Sequence, residues 1–252
     1  MTPDQYLTNI LIREAVDTGP QSRVRGVITA LLPLIQRWAA HYLLDVQASG
    51  SFAKGTANKS GTDLDIFISL SPSNPLTLGA TYENLFQFLG ENGYQPKRQN
   101  VSININVAGY SVDLVPGQRQ NDATLDHSLW RRRANTWTKT NIDKHINYVR
   151  LGGRLNETRV LKLWRNQKSL DFPSFYLEMA VINALGSYSG GLGNNVWRVF
   201  QYLQTSFEGA RILDPANASN VISDDLTLAD KGKIKFAASK ALAAKTWEEI
   251  VR

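Results

Sequence analysis

Asp63 and Asp65 stand two residues apart at the head of an apolar run, Leu64–Leu70 (LDIFISL). Side chains alternate along a strand, so both carboxylates project from one side of it. Upstream lies Gly50-Ser51-Phe52-Ala53-Lys54-Gly55-Thr56, with eleven residues between Ser51 and Asp63. Its two glycines, the Ser51 and Thr56 hydroxyls and Lys54 form a loop suited to bringing backbone N–H groups close to a triphosphate. A third carboxylate, Asp113, alternates with apolar neighbours in Tyr110–Val115 (YSVDLV) and completes a triad if that strand lies beside Leu64–Leu70. Anionic oxygens on one face, at the mouth of a glycine-containing loop, suit Mg²⁺ or Mn²⁺. Three carboxylates around two ions serve in-line phosphoryl transfer: one ion lowers the pKa of an attacking hydroxyl, the other neutralises the leaving pyrophosphate. An Asp-x-Asp pair alone carries little, because many half-buried strands alternate in the same way. The Gly-Ser loop at its fixed distance and the third strand aspartate raise the pattern to a site.

The elements that must position these residues follow from periodicity. Thr2-Pro3 opens a helix with Leu7, Ile10, Leu11 and Ala15 on one face, and Gly19-Pro20 ends it. A second helical pattern runs from about Ser22 to Leu44, and Pro33 inside it is expected to kink or split it. Three β-branched runs follow, Leu64–Leu70, Val101–Val107 and Tyr110–Val115, and the last two flank Ala108-Gly109 as an antiparallel hairpin. A helix at 79–91 separates the first run from this pair. Beyond 126 the pattern is helical, with segments expected at 141–151, 155–169, 174–187, 194–207 and 227–250. The expected fold class is α+β: a small mixed sheet followed by an α-helical C-terminal domain. The expected organisation is N-terminal helices (1–45) packing across both domains, a catalytic core (46–135) and a helical nucleotide-binding domain (136–252).

Charge is concentrated in one half. Residues 1–126 hold 9 Lys/Arg against 11 Asp/Glu, whereas residues 127–252 hold 19 against 11. The segment 131–168 alone carries eleven basic residues, Arg131, Arg132, Arg133 and Lys162 among them, against two acidic ones. Such an excess favours a polyanionic partner, nucleic acid or nucleotide phosphate, and equally describes a solvated basic helix face. With no cysteine in 252 residues, disulfides, Cys-based zinc sites and thiol nucleophiles are excluded, and a cytoplasmic location is expected. The three histidines are scattered, and no apolar run approaches the ~20 residues of a membrane-spanning helix.

Gly-Ser, spacer, Asp-x-Asp and a later strand aspartate resemble the nucleotidyltransferase superfamily typified by DNA polymerase β. The closer resemblance is to its template-independent members with a helical C-terminal domain. These are the archaeal CCA-adding enzymes, the oligoadenylate synthetases and the bacterial cyclic GMP-AMP synthase/DncV-like (CD-NTase) group. Val112-Asp113-Leu114-Val115-Pro116 resembles their third-carboxylate strand. Lys162, in Arg159-Val160-Leu161-Lys162-Leu163-Trp164, falls where the family places a triphosphate-binding lysine. Pro173-Ser174-Phe175-Tyr176-Leu177-Glu178 resembles the segment whose serine touches phosphate and whose next aromatic stacks on the base. Those roles would fall to Ser174 and Phe175, although Ser174 also suits a helix cap and Phe175 a core position. Ile212-Leu213-Asp214-Pro215-Ala216-Asn217 resembles an element near the end of the synthetases' helical domain.

The resemblance implies a two-metal (Mg²⁺ or Mn²⁺) enzyme in which Asp63, Asp65 and Asp113 are catalytic and metal-binding. Gly50, Ser51, Thr56, Lys162, Ser174 and Phe175 would bind the nucleotide. The implied product is a cyclic or linear oligonucleotide messenger of antiviral defence, sensed by a downstream effector, with nucleoside triphosphates as substrates and no membrane partner. Two alternatives stand beside it. One is extension of the 3′ end of an RNA or DNA acceptor gripped by the basic stretch 131–168, Arg131, Arg132 and Arg133 included. Trp130, Trp137, Trp164 and Trp197 are expected to pack the helical domain, the lesser reading being that aromatics beside Arg131–Arg133 stack single-stranded bases. The other is a catalytically silent nucleic-acid-binding regulator.

Overall fold

The computed structural model describes residues 1–17, 19, 22–61 and 63–252; Pro20 of the expected Gly19-Pro20 break lies outside them. The regular elements are, in chain order, α1 (Pro3–Arg13), α2 (Arg23–Ala39), β1 (Leu43–Ala48), α3 (Gly50–Lys54), β2 (Leu64–Leu70), α4 (Leu78–Glu91), β3 (Lys97–Arg98), β4 (Ile103–Val107) and β5 (Tyr110–Arg119). Then come β6 (His127–Arg131), β7 (Thr136–Thr140), α5 (Ile142–Leu151), α6 (Leu155–Gln167), α7 (Ser174–Leu185), α8 (Leu192–Thr205), β8 (Leu213–Asp214), β9 (Asn217–Val221), α9 (Leu228–Ala243) and α10 (Trp247–Ile250). They divide into a sheet unit, Asp17–Lys54 with Thr62–Ile146, and a helical unit, Met1–Val16 with Gly55–Gly61 and Asn147–Arg252.

The sheet unit holds a mixed sheet in the order β1-β2-β5-β4-β3, which β6 and β7 extend from β5. Only the β2–β5 pair is parallel among the pairings described. Alternation assigns the two faces. Leu64, Ile66 and Ile68 of β2 and Val112 and Leu114 of β5 are buried beside Ile103 and Ile105 of β4, with α2 and α4 packed on the sheet. Asp65 and Asp113 point to the other face. The β4–β5 turn forms at Ala108-Gly109, both with positive φ (51° and 84°) as a tight two-residue hairpin demands.

The helical unit has its own core. α1 begins with a capping box in which the Thr2 hydroxyl accepts from the Gln5 amide and the Gln5 side chain accepts from the Thr2 amide. Its Leu7, Ile10 and Leu11 bury against Val160, Trp164, Tyr176, Val199 and Phe200 of α6, α7 and α8.

Several expectations are corrected. α2 is not split at Pro33: burial of Val27, Leu31 and Ile35 offsets the lost backbone bond. It stops at Ala39 rather than Leu44, because Leu43–Ala48 pairs with β2 instead, Val46 opposite Ile68. The region after 126 opens with strands rather than helix. Ser128, Trp130, Thr136 and Thr138 belong to a hairpin, and Arg131–Arg133, read as a basic helix face, form its end. The expected C-terminal helix is two, α9 and α10. Of the N-terminal helices, α1 falls in the helical unit and α2 in the sheet unit. The sheet unit extends to Ile146 because β6 and β7 continue its sheet.

Candidate functional site

Within the sheet unit the three aspartates belong to one surface. β2 and β5 run parallel with Asp65 directly opposite Asp113. Exposed Asp63 precedes β2 by one residue, half-buried Asp65 is its second residue, and Asp113 is buried at 7% exposure. Burial pushes the Asp113 carboxyl above its ordinary pKa; the Asn104 hydrogen bond opposes this and the negative charge of Asp63 adds to it. The Gly-Ser loop is fastened to the same strand: the Ser49 amide donates to the Asp65 carbonyl at 2.8 Å. Gly50 has φ +56°, and a Cβ there would collide with the Asp65 carboxylate. Glycine is therefore required twice, for the left-handed backbone and for the approach of the carboxylate. Ser51 follows, half-buried in the first turn of α3.

Asp113 is oriented by two amides that sequence reasoning missed. Asn104 Nδ2, on the neighbouring β4 and in register with Asp113, donates to its Oδ1 at 2.8 Å and to Ser111 Oγ at 2.8 Å. Gln99 Nε2 donates to the same Oδ1 at 3.0 Å, while Gln99 Oε1 accepts from Ser102 Oγ. A signal for Asn104 was present: counting back from the Ala108-Gly109 turn places it opposite Asp113. Nothing in the sequence marked Gln99. At the end of β6, Arg131 is half-buried while Arg132 and Arg133 are exposed. Arg132 Nε donates to the Gln99 carbonyl at 3.0 Å. His127 belongs to the core: Nδ1 donates to the Leu125 carbonyl, Nε2 accepts from Ser69 Oγ, and burial holds its pKa down.

Among the described residues, no group of three His, Cys, Asp or Glu side chains is gathered into a metal-holding cluster. The donor set nevertheless fits Mg²⁺ or Mn²⁺. It consists of hard carboxylate oxygens, and Mg²⁺ ordinarily takes one or two carboxylates and completes its shell with water and substrate phosphates. A buried carboxylate facing a like charge is also one that a divalent cation would relieve.

The helical unit treats its candidates differently. Lys162 Nζ donates to Glu178 Oε1 at 2.6 Å and to Thr56 Oγ1 at 2.9 Å, and Thr56 Oγ1 donates to Glu178 Oε1 at 2.7 Å. All three are buried, Glu178 and Thr56 completely. Lys162 and Thr56 are thus brought together, on a carboxylate that the sequence reading passed over inside the apolar run of α7. Arg159 holds the same segment: its Nε donates to the Ala57 carbonyl and Asn58 Oδ1, and its Nη2 to the carbonyls of Leu11 and Glu14. Ser174 is exposed and its Oγ accepts from Arg165 Nη1 at 2.9 Å. It is the first residue of α7 and not its cap; that position is Pro173, which makes no side-chain capping bond. Phe175 is half-buried against the helical core.

No family model and no curated protein matches the sequence. Solved structures do match. CdnC of E. coli MS115-1, determined with ATP, superposes with a TM-score of 0.80 at 19% identity over 99% of this chain and 97% of that one. The CD-NTase CdnG of Bradyrhizobium diazoefficiens, in complex with GTP, gives 0.79 at 14% identity over 99% and 95%. Cid1, in complex with a UTP analogue, gives 0.67 at 12% identity over 97% and 94%. These likenesses show that the chain has the fold shared by CD-NTases and Cid1, as the motifs implied.

Proposed function

We propose that the chain is a divalent-metal-dependent, template-independent nucleotidyltransferase that joins nucleoside triphosphates with release of pyrophosphate. The observation that carries this reading is the register of Asp65 against Asp113 on parallel strands, with Asp63 acting on Asp113 and Gly50 opening the loop to Asp65. Asp63, Asp65 and Asp113 would hold two Mg²⁺ or Mn²⁺ ions, which supply activation of the attacking hydroxyl and neutralisation of the pyrophosphate. Asn104 and Gln99 fix the rotamer of Asp113, so that its carboxylate need not reorganise during the reaction. Ser51 offers a hydroxyl and the α3 turn its amides to the donor triphosphate. On the resemblance, Ser174 and Lys162 are further phosphate contacts and Phe175 a base platform. Lys162 would then have to exchange part of its bonding to Glu178 for phosphate.

The product we favour is a short cyclic or linear oligonucleotide of the defence-messenger type, supported by the likeness to CdnC and CdnG. Extension of an RNA or DNA 3′ end is the second reading, supported by the likeness to Cid1 and by exposed Arg132 and Arg133. The test is incubation with Mg²⁺ or Mn²⁺ and each labelled nucleoside triphosphate, with products resolved before and after phosphatase. A phosphatase-resistant species absent from Asp63→Asn protein establishes a cyclic product, and a ladder establishes linear polymerisation. A ladder appearing only with added polynucleotide favours the second reading. No incorporation under any of these conditions refutes the proposal.

A further inference from the structure

Among the described residues of the sheet unit, the end of the β6–β7 hairpin departs from its surroundings. Trp137, on β7, is 54% exposed, and the turn beside it carries Arg132 and Arg133, both exposed. The same turn is fastened to the loop that follows β3. The Arg132 amide donates to the Asn100 carbonyl at 2.8 Å, the Arg133 amide to Asn100 Oδ1 at 3.1 Å, and Arg132 Nε to the Gln99 carbonyl at 3.0 Å. Lys97 and Arg98, both exposed, lead into that loop; Arg98 lies over the Phe86 ring at 3.5 Å and its Nη2 donates to Glu83 Oε2 at 2.7 Å. Lys97, Arg131, Arg132 and Arg133, with Arg98 already paired to Glu83, and an exposed indole thus belong to two segments bonded to each other.

We propose that this hairpin end docks a single-stranded polynucleotide, and that Arg132 and Gln99 carry its occupancy to Asp113. The charge selects a polyanion. The indole selects single strands, since stacking on it needs an unpaired base. The route inward is a chain of hydrogen bonds: Arg132 Nε holds the Gln99 backbone, and Gln99 Nε2 holds Asp113 Oδ1 at 3.0 Å. A phosphate that draws on the Arg132 guanidinium moves the group that orients the third carboxylate. The docking claim stands independently of catalysis; the relay rests on the proposed metal role of Asp113.

Two binding measurements on the full chain test it. In the first, anisotropy of a labelled 20-nucleotide oligo(U) is followed across a salt series. Wild type should bind it more tightly than a 20-base-pair duplex. The Arg132→Gln/Arg133→Gln variant should flatten the salt dependence by about 0.7 in log–log slope for each phosphate it no longer neutralises. Trp137→Ala should weaken binding roughly tenfold and Trp137→Phe should restore most of it. Absence of wild-type binding, equal affinity for duplex, or indifference to all three variants overturns the docking surface. In the second, Mn²⁺ binding is read by electron paramagnetic resonance with and without oligo(U). Oligo(U) should shift Mn²⁺ affinity in wild type and not in Gln99→Ala, which still binds oligo(U). An equal shift in both overturns the relay. Wild type that binds oligo(U) but no Mn²⁺ overturns the relay and the metal reading together, and leaves docking established.

Discussion

In the helical unit, Lys162, Glu178 and Thr56 satisfy one another at 2.6–2.9 Å in a fully packed interior. In the sheet unit, Asp63, Asp65 and Asp113 are like charges on one face, and the groups that reach Asp113 are neutral amides rather than cations. The first arrangement neutralises itself and fixes a segment of chain; the second accumulates negative charge and fixes its direction. A self-neutralising cluster is what a fold needs to bury charge, while carboxylates gathered on one face, one of them buried and held in direction by neutral amides, are what a cation-dependent reaction needs. The same residue types therefore imply different losses when they are changed.

The largest separation should come from Asp65→Asn. Nucleotide incorporation should fall about a thousandfold or more if the proposed metals act there, since catalytic ions generally contribute several kcal/mol to such a transition state. Urea unfolding should change far less than incorporation does, because Asp65 is half-buried and the exchange keeps its size and shape. The helical cluster should respond in the opposite sense. Lys162→Met takes from the buried Glu178 carboxylate the cation that donates to it at 2.6 Å, and should cost about 3–5 kcal/mol in urea unfolding. Lys162→Met/Glu178→Leu should be more stable than that single variant, which would mark the pair as structural. If Lys162→Met instead unfolds like wild type and raises only the apparent KM for nucleotide, Lys162 is chiefly a ligand.

A smaller effect is expected at Asn104. Asn104→Ala removes one of two amides on Asp113 and should weaken Mn²⁺ affinity by about ten- to a hundredfold, as outer-shell changes generally do. The smallest concerns pH. Burial and the Asp63 charge raise the folded-state pKa of Asp113, so the folded chain holds this proton more tightly than the unfolded one. Without metal, Asp113 therefore contributes stability at low pH. That contribution is lost as pH rises from the ordinary carboxylate value through the raised one. Asp113→Asn should abolish this slope in urea unfolding, and Mn²⁺ affinity in wild type should climb over the same interval as the competing proton leaves.

The aspartate face was legible in the sequence because each part of it is local. Alternation around Asp63, Asp65 and Asp113 assigns their side, Ala108-Gly109 gives the hairpin, and the glycine before Ser51 marks the close approach to Asp65. The parts that were not legible depend on partners distant in the chain. Leu43–Ala48 reads as the end of a helix until β2 is there to pair with it. The β6–β7 strands read as basic helix because Arg131–Arg133 dominate the composition, while their pairing with the far end of β5 is invisible locally. Glu178 is hidden inside an apolar run, and only the fold shows that Lys162 and Thr56, sixteen and 122 residues away, meet on it.

Whether the aspartate face is a metal centre is decided by counting the Mn²⁺ bound, with a non-hydrolysable nucleoside triphosphate present, in wild type and Asp65→Asn. Two-metal phosphoryl transfer requires about two ions per chain in wild type and loss of tight binding in the variant. Wild type that binds no Mn²⁺, or Asp65→Asn that binds it as tightly as wild type, would contradict it.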